Sequence, residues 1–272
     1  MKNIILILCA ILLVFVCSCN TGGKKNTDTS DEMGVATQKG NAQSKTTTMD
    51  KADSLVTKTI AAHGGELYDT AHYEFKFRKN RYTFHNKKEG YIYSTTSQKD
   101  GNEIRDVLEN GTFSRTINGK NTELSEKDIT KYTEALNSVI YFATLPYKLQ
   151  DAAVNKSFEG RTTIKNQEYD ILLVSFDEAG GGTDHDDTFM YWLNSKTGTI
   201  DYLAYSYATN DGGVRFRSAY DPRTIAGIRF QNYINYEAPL GTPLKKLPEL
   251  YEMDELKELS RIETVDVVAL DK

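Results

Sequence analysis

After position 19 the sequence contains no cysteine; its three cysteines are Cys9, Cys17 and Cys19, in a chain of 272 residues. The body of the protein therefore has no disulfide framework, no cysteine-ligated zinc and no cysteine nucleophile. Clustered basic residues are also lacking. With a net charge of −5 and no Lys/Arg stripe, the chain lacks what phosphate binding requires, which argues against nucleic acid as a partner. There is no Gly-x-Ser-x-Gly elbow, no phosphate loop, no His-Glu-x-x-His and no dinucleotide fingerprint. Proline is scarce, and three of the five prolines crowd into residues 239–248.

The one long uncharged apolar run is Ile4 to Val16, 13 residues behind Met1-Lys2-Asn3. It is too short for the ~20 residues of a membrane-spanning helix and reads as a secretory signal. Leu13-Val14-Phe15-Val16-Cys17-Ser18-Cys19 resembles the bacterial lipobox, so residues 1–18 are expected to be a lipoprotein signal peptide and Cys19 the lipidated residue. The competing reading is an ordinary signal peptide with a chance cysteine. Residues 19–49 have no aromatic and almost no large aliphatic side chain, too little apolar area to offset ordering entropy, and read as a flexible tether. By random-coil scaling its ~30 residues span about 30 Å.

From position 50 to 272 the chain reads as a single domain. An Asp50 cap, the spacing of Ala52, Leu55, Val56 and Ile60, and the Gly64-Gly65 stop predict a first helix. His63 at its end would interact favourably with the helix dipole if protonated. The period then changes to two. Tyr73, Phe75 and Phe77 alternate with charged residues, followed by Tyr82, Phe84, Tyr91 and Tyr93, the pattern of half-buried antiparallel strands. Asn110-Gly111 between two apolar runs is a hairpin signal. Further turns near Asn166, at residues 194–198 and at 210–213 join strands over residues 158–164, 169–176, 189–193, 200–208, 214–220 and 228–236.

Ser125 followed by the stripe Ile129, Tyr132, Leu136, Val139, Ile140 and Ala143 predicts a second helix that interrupts the strands. After the proline-rich strap, a charged helical stretch is expected from Met253. The alternation of Ile262, Thr264, Asp266 and Val268 suggests one more edge strand. The fold class that follows is mainly β: a strongly curved antiparallel sheet, or incomplete barrel, with helices on its concave face.

Several features together resemble an uncharacterised, domain-of-unknown-function family of Gram-negative envelope lipoproteins. They are the lipobox, the tether, His63-Gly64-Gly65 after the first helix, Leu145-Pro146-Tyr147 after the second, and the late YINYEAPLGTPLKKLP. In fold the chain also resembles the outer-membrane lipoprotein-sorting superfamily of Lol carriers. That resemblance implies helices over a curved sheet with an acyl-chain cavity between them.

The stretch GGGTDHDDTF, residues 180–189, is the most chemical in appearance. An iron site built on His185-x-Asp187 would need a second histidine, and none follows. Calcium is the more plausible metal, through Asp184, Asp186 and Asp187, although neither the EF-hand nor the repeat-in-toxin pattern is met. The bland reading is a solvated turn between two core strands. Carboxylates beside aromatics, such as Asp201 and Glu237, nominate no catalytic pair. The inward aromatic stripes Tyr73, Phe75, Phe77, Tyr91, Tyr93, Tyr191 and Leu193 are the candidate ligand-binding residues, either lining an apolar cavity or filling a solid core.

The leading expectation is a non-enzymatic, cofactor-free lipoprotein. It would be anchored through Cys19, with Asn20 favouring the outer membrane facing the periplasm, and would bind an acyl chain, lipid or lipidated protein in an apolar half-barrel. The alternatives are an envelope hydrolase or calcium-dependent protein using residues 184–187, and a structural or sensory lipoprotein whose partner is another protein.

Overall fold

Asp50 caps the first helix by accepting a hydrogen bond from the Lys51 backbone N–H at 2.6 Å, and α1 runs Lys51–His63. In this computed structural model residues 50–177, 187–208 and 211–270 are described. Gly64 ends α1 at φ +147°, a conformation closed to most side chains, and a Cβ there would sit 3.0 Å from Ile228. His63 is buried, and its Nε2 accepts the Ile200 backbone N–H at 3.2 Å. Burial, with Arg229 adding, pushes its pKa down to about 3. The imidazole is thus held neutral and does not act as the charged dipole partner expected from its position in the sequence.

The strands alternate as the two-residue period predicts and form two seven-stranded antiparallel sheets that do not close into a barrel. The first contains β1 (His72–Phe77), β2 (Asn80–Lys87), β3 (Gly90–Lys99), β4 (Asn102–Glu109), β5 (Thr112–Ile117) and β6 (Lys120–Asn121). Asn110 and Gly111 link β4 to β5 with φ of 48° and 84°, the two positive values a tight hairpin needs. The second sheet contains β7 (Val154–Ile164), β8 (Gln167–Phe176), β9 (Thr188–Asn194), β10 (Ile200–Tyr207), β11 (Gly213–Ile225) and β12 (Ile228–Ala238). Pro222 falls where the β11–β12 register shifts, a place a sheet tolerates a residue without an N–H.

The chain's last two strands join the sheets. β13 (Lys257–Ile262) pairs with β12 at the edge of the second sheet, and β14 (Thr264–Ala269), after Glu263 alone, pairs with β1 at the edge of the first. The expected final strand is therefore present and has a second half. The expected charged helix from Met253 is not: the short helix α3 occupies Leu247–Glu252, Asp254 and Glu255 follow it outside any helix, and Lys257, Glu258 and Arg261 lie in β13. Free ladder positions along β12 outweigh the helical charge spacing of that segment.

Helix α2 (Glu126–Ala143) is capped by Ser125, whose hydroxyl accepts from the Asp128 N–H at 3.2 Å. Its buried Leu136 and Ile140 join Tyr73, Phe75, Phe84, Tyr93 and Leu108 of the first sheet in one apolar cluster. Leu55 and Val56 of α1 join Leu172, Val174, Tyr191 and Leu203 of the second sheet in another. The opposite face of the second sheet is covered as well: Trp192, Tyr202 and Phe216 pack against Leu244, Leu247 and Leu256 of the tail.

Candidate functional site

At the crossing from β13 to β14 lies a cavity of about 330 Å³. Ser138, Val139, Phe142 and Ala143, from the last two turns of α2, form one wall. The period-two alternation of β12 sends Gln231, Tyr233 and Asn235 to the same side, facing the cavity. Phe189 of β9, Tyr205 of β10 and Arg217 of β11 continue that wall across the second sheet. Ser260, Ile262 and Thr264 of the closing strands, with Phe77 and Arg78 at the end of β1, complete it. The volume is just above the ~300 Å³ at which small-molecule sites begin.

Much of the lining is apolar or aromatic. Phe189 stacks on Tyr205 with ring centroids 5.4 Å apart, and Phe142 lies 5.9 Å from Tyr205 and 6.4 Å from Phe189. Val139, Ala143 and Ile262 add aliphatic surface. Such walls favour an apolar guest through the area they remove from water.

The polar groups are fewer. Arg217 is only 7% exposed, and its guanidinium lies 4.1 Å from the Phe142 ring centroid and 5.0 Å from that of Tyr205. Its Nη2 donates to the Tyr205 hydroxyl at 2.8 Å, whereas Nε and Nη1 have no hydrogen-bond partner among the described residues. Asn235 stands directly opposite Arg217 across β11 and β12. Its Nδ2 donates to the Ser260 hydroxyl at 3.2 Å, and its Oδ1 is also without a partner among the described residues. The Tyr233 hydroxyl accepts from Gln231 at 2.7 Å. Burial pushes the Tyr233 pKa up to about 12, with the Gln231 bond opposing, so the phenol stays neutral at physiological pH.

Of the seven aromatic and aliphatic residues singled out in the sequence, Phe77 lines the cavity. Tyr73, Phe75 and Tyr93 are buried in the cluster beneath α2, with Tyr91 packed against its border. Tyr191 and Leu193 are buried in the cluster beneath α1. The Tyr191 hydroxyl lies 2.7 Å from that of Tyr141, and burial raises the pKa of both. Asp187, the last of the three acids considered for calcium, is buried and lines the cavity. Cys19, Asp184, His185 and Asp186 lie outside the described residues. Among the described residues, no cluster of three or more His, Cys, Asp or Glu side chains is placed to hold a metal.

Sequence reasoning missed Phe142, Tyr205, Arg217, Gln231, Tyr233 and Asn235. One signal was available. The run Thr188–Asn194, TFMYWLN, is apolar at both parities, as expected of a strand covered on both faces. A charged residue at the middle of a nearby strand of that sheet is then a candidate for burial, and Arg217 on β11 is such a residue.

No curated protein matches this chain in sequence. Among solved structures it is similar to a LolA superfamily protein from Nitrosomonas europaea, at 11% identity and a TM-score of 0.49, covering 81% of this chain and 94% of that one. It is also similar to a DUF1329 family protein from Desulfovibrio piger, at 10% identity and a TM-score of 0.40, covering 81% and 94%. The chain belongs to DUF6503, a family of unknown function whose model matches residues 1–265.

Proposed function

We propose that this member of DUF6503 is an envelope lipoprotein that binds one acyl chain, or a ligand of similar apolar character, in the cavity beneath the C-terminal end of α2, without catalysis. The observation that carries the reading is the cavity itself: about 330 Å³ walled by Val139, Phe142, Ala143, Phe189 and Ile262. That volume corresponds to roughly eleven waters at ~30 Å³ each. It suits a single chain and is too small for the whole of a multiply acylated lipid. The lipobox-like sequence ending at Cys19 and the polar tether behind it support anchoring by an N-terminal lipid. Asn20 supports placement at the outer membrane facing the periplasm, and a lipid or lipidated protein is the matching partner.

The test is lipid extraction and mass spectrometry of the protein purified from its own envelope, alongside an Ala143→Trp variant whose indole would occupy the cavity. Co-purified single-chain lipid in the parent and its loss in the variant support the reading. No lipid in either would overturn it and favour a protein partner. Labelling of the parent but not Cys19→Ser by radioactive fatty acid tests the anchor separately.

A further inference from the structure

Arg217 is an anomaly of the cavity wall. A guanidinium is always charged and carries five N–H donors. Burying one is costly unless its donors are met, and buried polar groups are nearly always hydrogen-bonded. Stacking on Phe142 and Tyr205 offsets part of that cost, and the Tyr205 hydroxyl takes Nη2. Nε and Nη1 remain without a hydrogen-bond partner among the described residues. The positions directly across from Arg217 are Leu203 on β10 and Asn235 on β12, neither of which is an acid.

We infer that Arg217 is the headgroup site for an acidic ligand, and that the guest is a single-chain amphiphile with a carboxylate at one end, such as a fatty acid. The inference rests on the cavity being a ligand site and adds the chemical class of what it holds. The carboxylate accepts from the unpartnered N–H groups of Arg217, which are buried in the wall and reach it when the guanidinium turns between Phe142 and Tyr205, while the chain lies against Phe142, Phe189, Val139 and Ile262. Among the described residues the remaining charged groups of the lining are Arg78 and Asp187, so two arginines stand there with one aspartate, a balance that favours an anion over a cation. Charge-assisted hydrogen bonds formed out of water are the strong kind, and a carboxylate is the smallest group that supplies them within this volume.

The experiment compares binding of dodecanoate and dodecanol by displacement of a fluorescent apolar probe, in the parent, in Arg217→Met and in Arg217→Lys, each checked for an unchanged melting transition. The expected result is that the parent prefers the acid over the alcohol by roughly tenfold or more. Arg217→Met should bind both alike with the alcohol unaffected, and Arg217→Lys should keep part of the preference. Equal binding of acid and alcohol by the parent overturns the headgroup assignment and leaves the apolar site standing. Binding of neither, together with no displacement of the probe, overturns the site as well. The acid preference of the parent alone decides the matter if a variant does not fold.

Discussion

Two arginines lie under the same helix and are treated in opposite ways. Arg115 of the first sheet lies with its guanidinium 3.6 Å from the centroid of Tyr132, one of the α2 aromatics, and Arg217 of the second lies 4.1 Å from that of Phe142, another. Asp106 is the direct cross-strand partner of Arg115, and its two oxygens accept from Nε and Nη2 at 2.6 and 2.7 Å. Those bonds, more than any other influence, raise the Arg115 pKa, and the pair is a closed structural tie between sheet and helix. Arg217 has the same stacking but no acid opposite it on the ladder, and two nitrogens of this cavity-lining side chain are buried without a hydrogen-bond partner among the described residues. The presence of an arginine on a central strand therefore says little. What stands across the ladder decides whether it holds the fold together or waits for a ligand.

The largest effect should come from opening the closed pair. Asp106→Ala leaves Arg115 partly buried without its carboxylate and with only the Tyr132 ring beside it, and unfolding in urea should show a loss of about 3 kcal/mol with binding of dodecanoate unchanged. A loss no larger than that of an exposed pair would erase the distinction between the two arginines.

Next in size is the pH response of a third buried base. His63 has a folded pKa of about 3, below its ordinary 6.5, so below pH 6.5 the unfolded chain takes up a proton that the folded chain refuses. Stability is fully present above pH 6.5 and falls by about 1.4 kcal/mol per unit as pH drops from there toward 3, or about 2 kcal/mol at pH 5. His63→Gln, which keeps an acceptor for the Ile200 N–H, should flatten the slope between pH 6.5 and 5. An unchanged slope would mean that burial does not hold this group neutral.

A smaller effect separates the two ends of α2. Ser125→Ala removes the N-cap over the first sheet and should cost about 1 kcal/mol, while acid binding at the far end of the helix persists. Smallest of all in stability is Arg217→Met. Replacing an incompletely satisfied buried charge by an apolar side chain of similar length should shift unfolding by less than about 1 kcal/mol in either direction, yet abolish the preference for an acid.

Much of the architecture was legible because it rests on local rules. The Ser125 cap and the Leu136/Ile140 stripe specify α2, Asn110-Gly111 specifies a hairpin, and the alternation of Tyr73, Phe75 and Phe77 specifies the inward face of β1. Periodicity showed which way those side chains point and could not show that most of them pack solidly while space remains beside Phe77. That space exists where β13 and β14 cross between sheets, a consequence of pairing between residues far apart in sequence. The same long-range pairing turned an apparent charged helix into β13. Arg217 was passed over because an arginine alternating with Phe216 reads as solvent-facing on a single strand. Only the cover that α2 and the neighbouring strands provide makes it internal.

The central claim is that an acid's headgroup sits on Arg217 inside this cavity, and a crystal structure of the protein with bound dodecanoate tests it most directly. The predicted result is a carboxylate oxygen about 2.7–2.9 Å from Nε or Nη1 of Arg217, with the chain between Phe142 and Ile262. A carboxylate pointing to solvent with Arg217 untouched, or a chain bound elsewhere on the molecule, would contradict it.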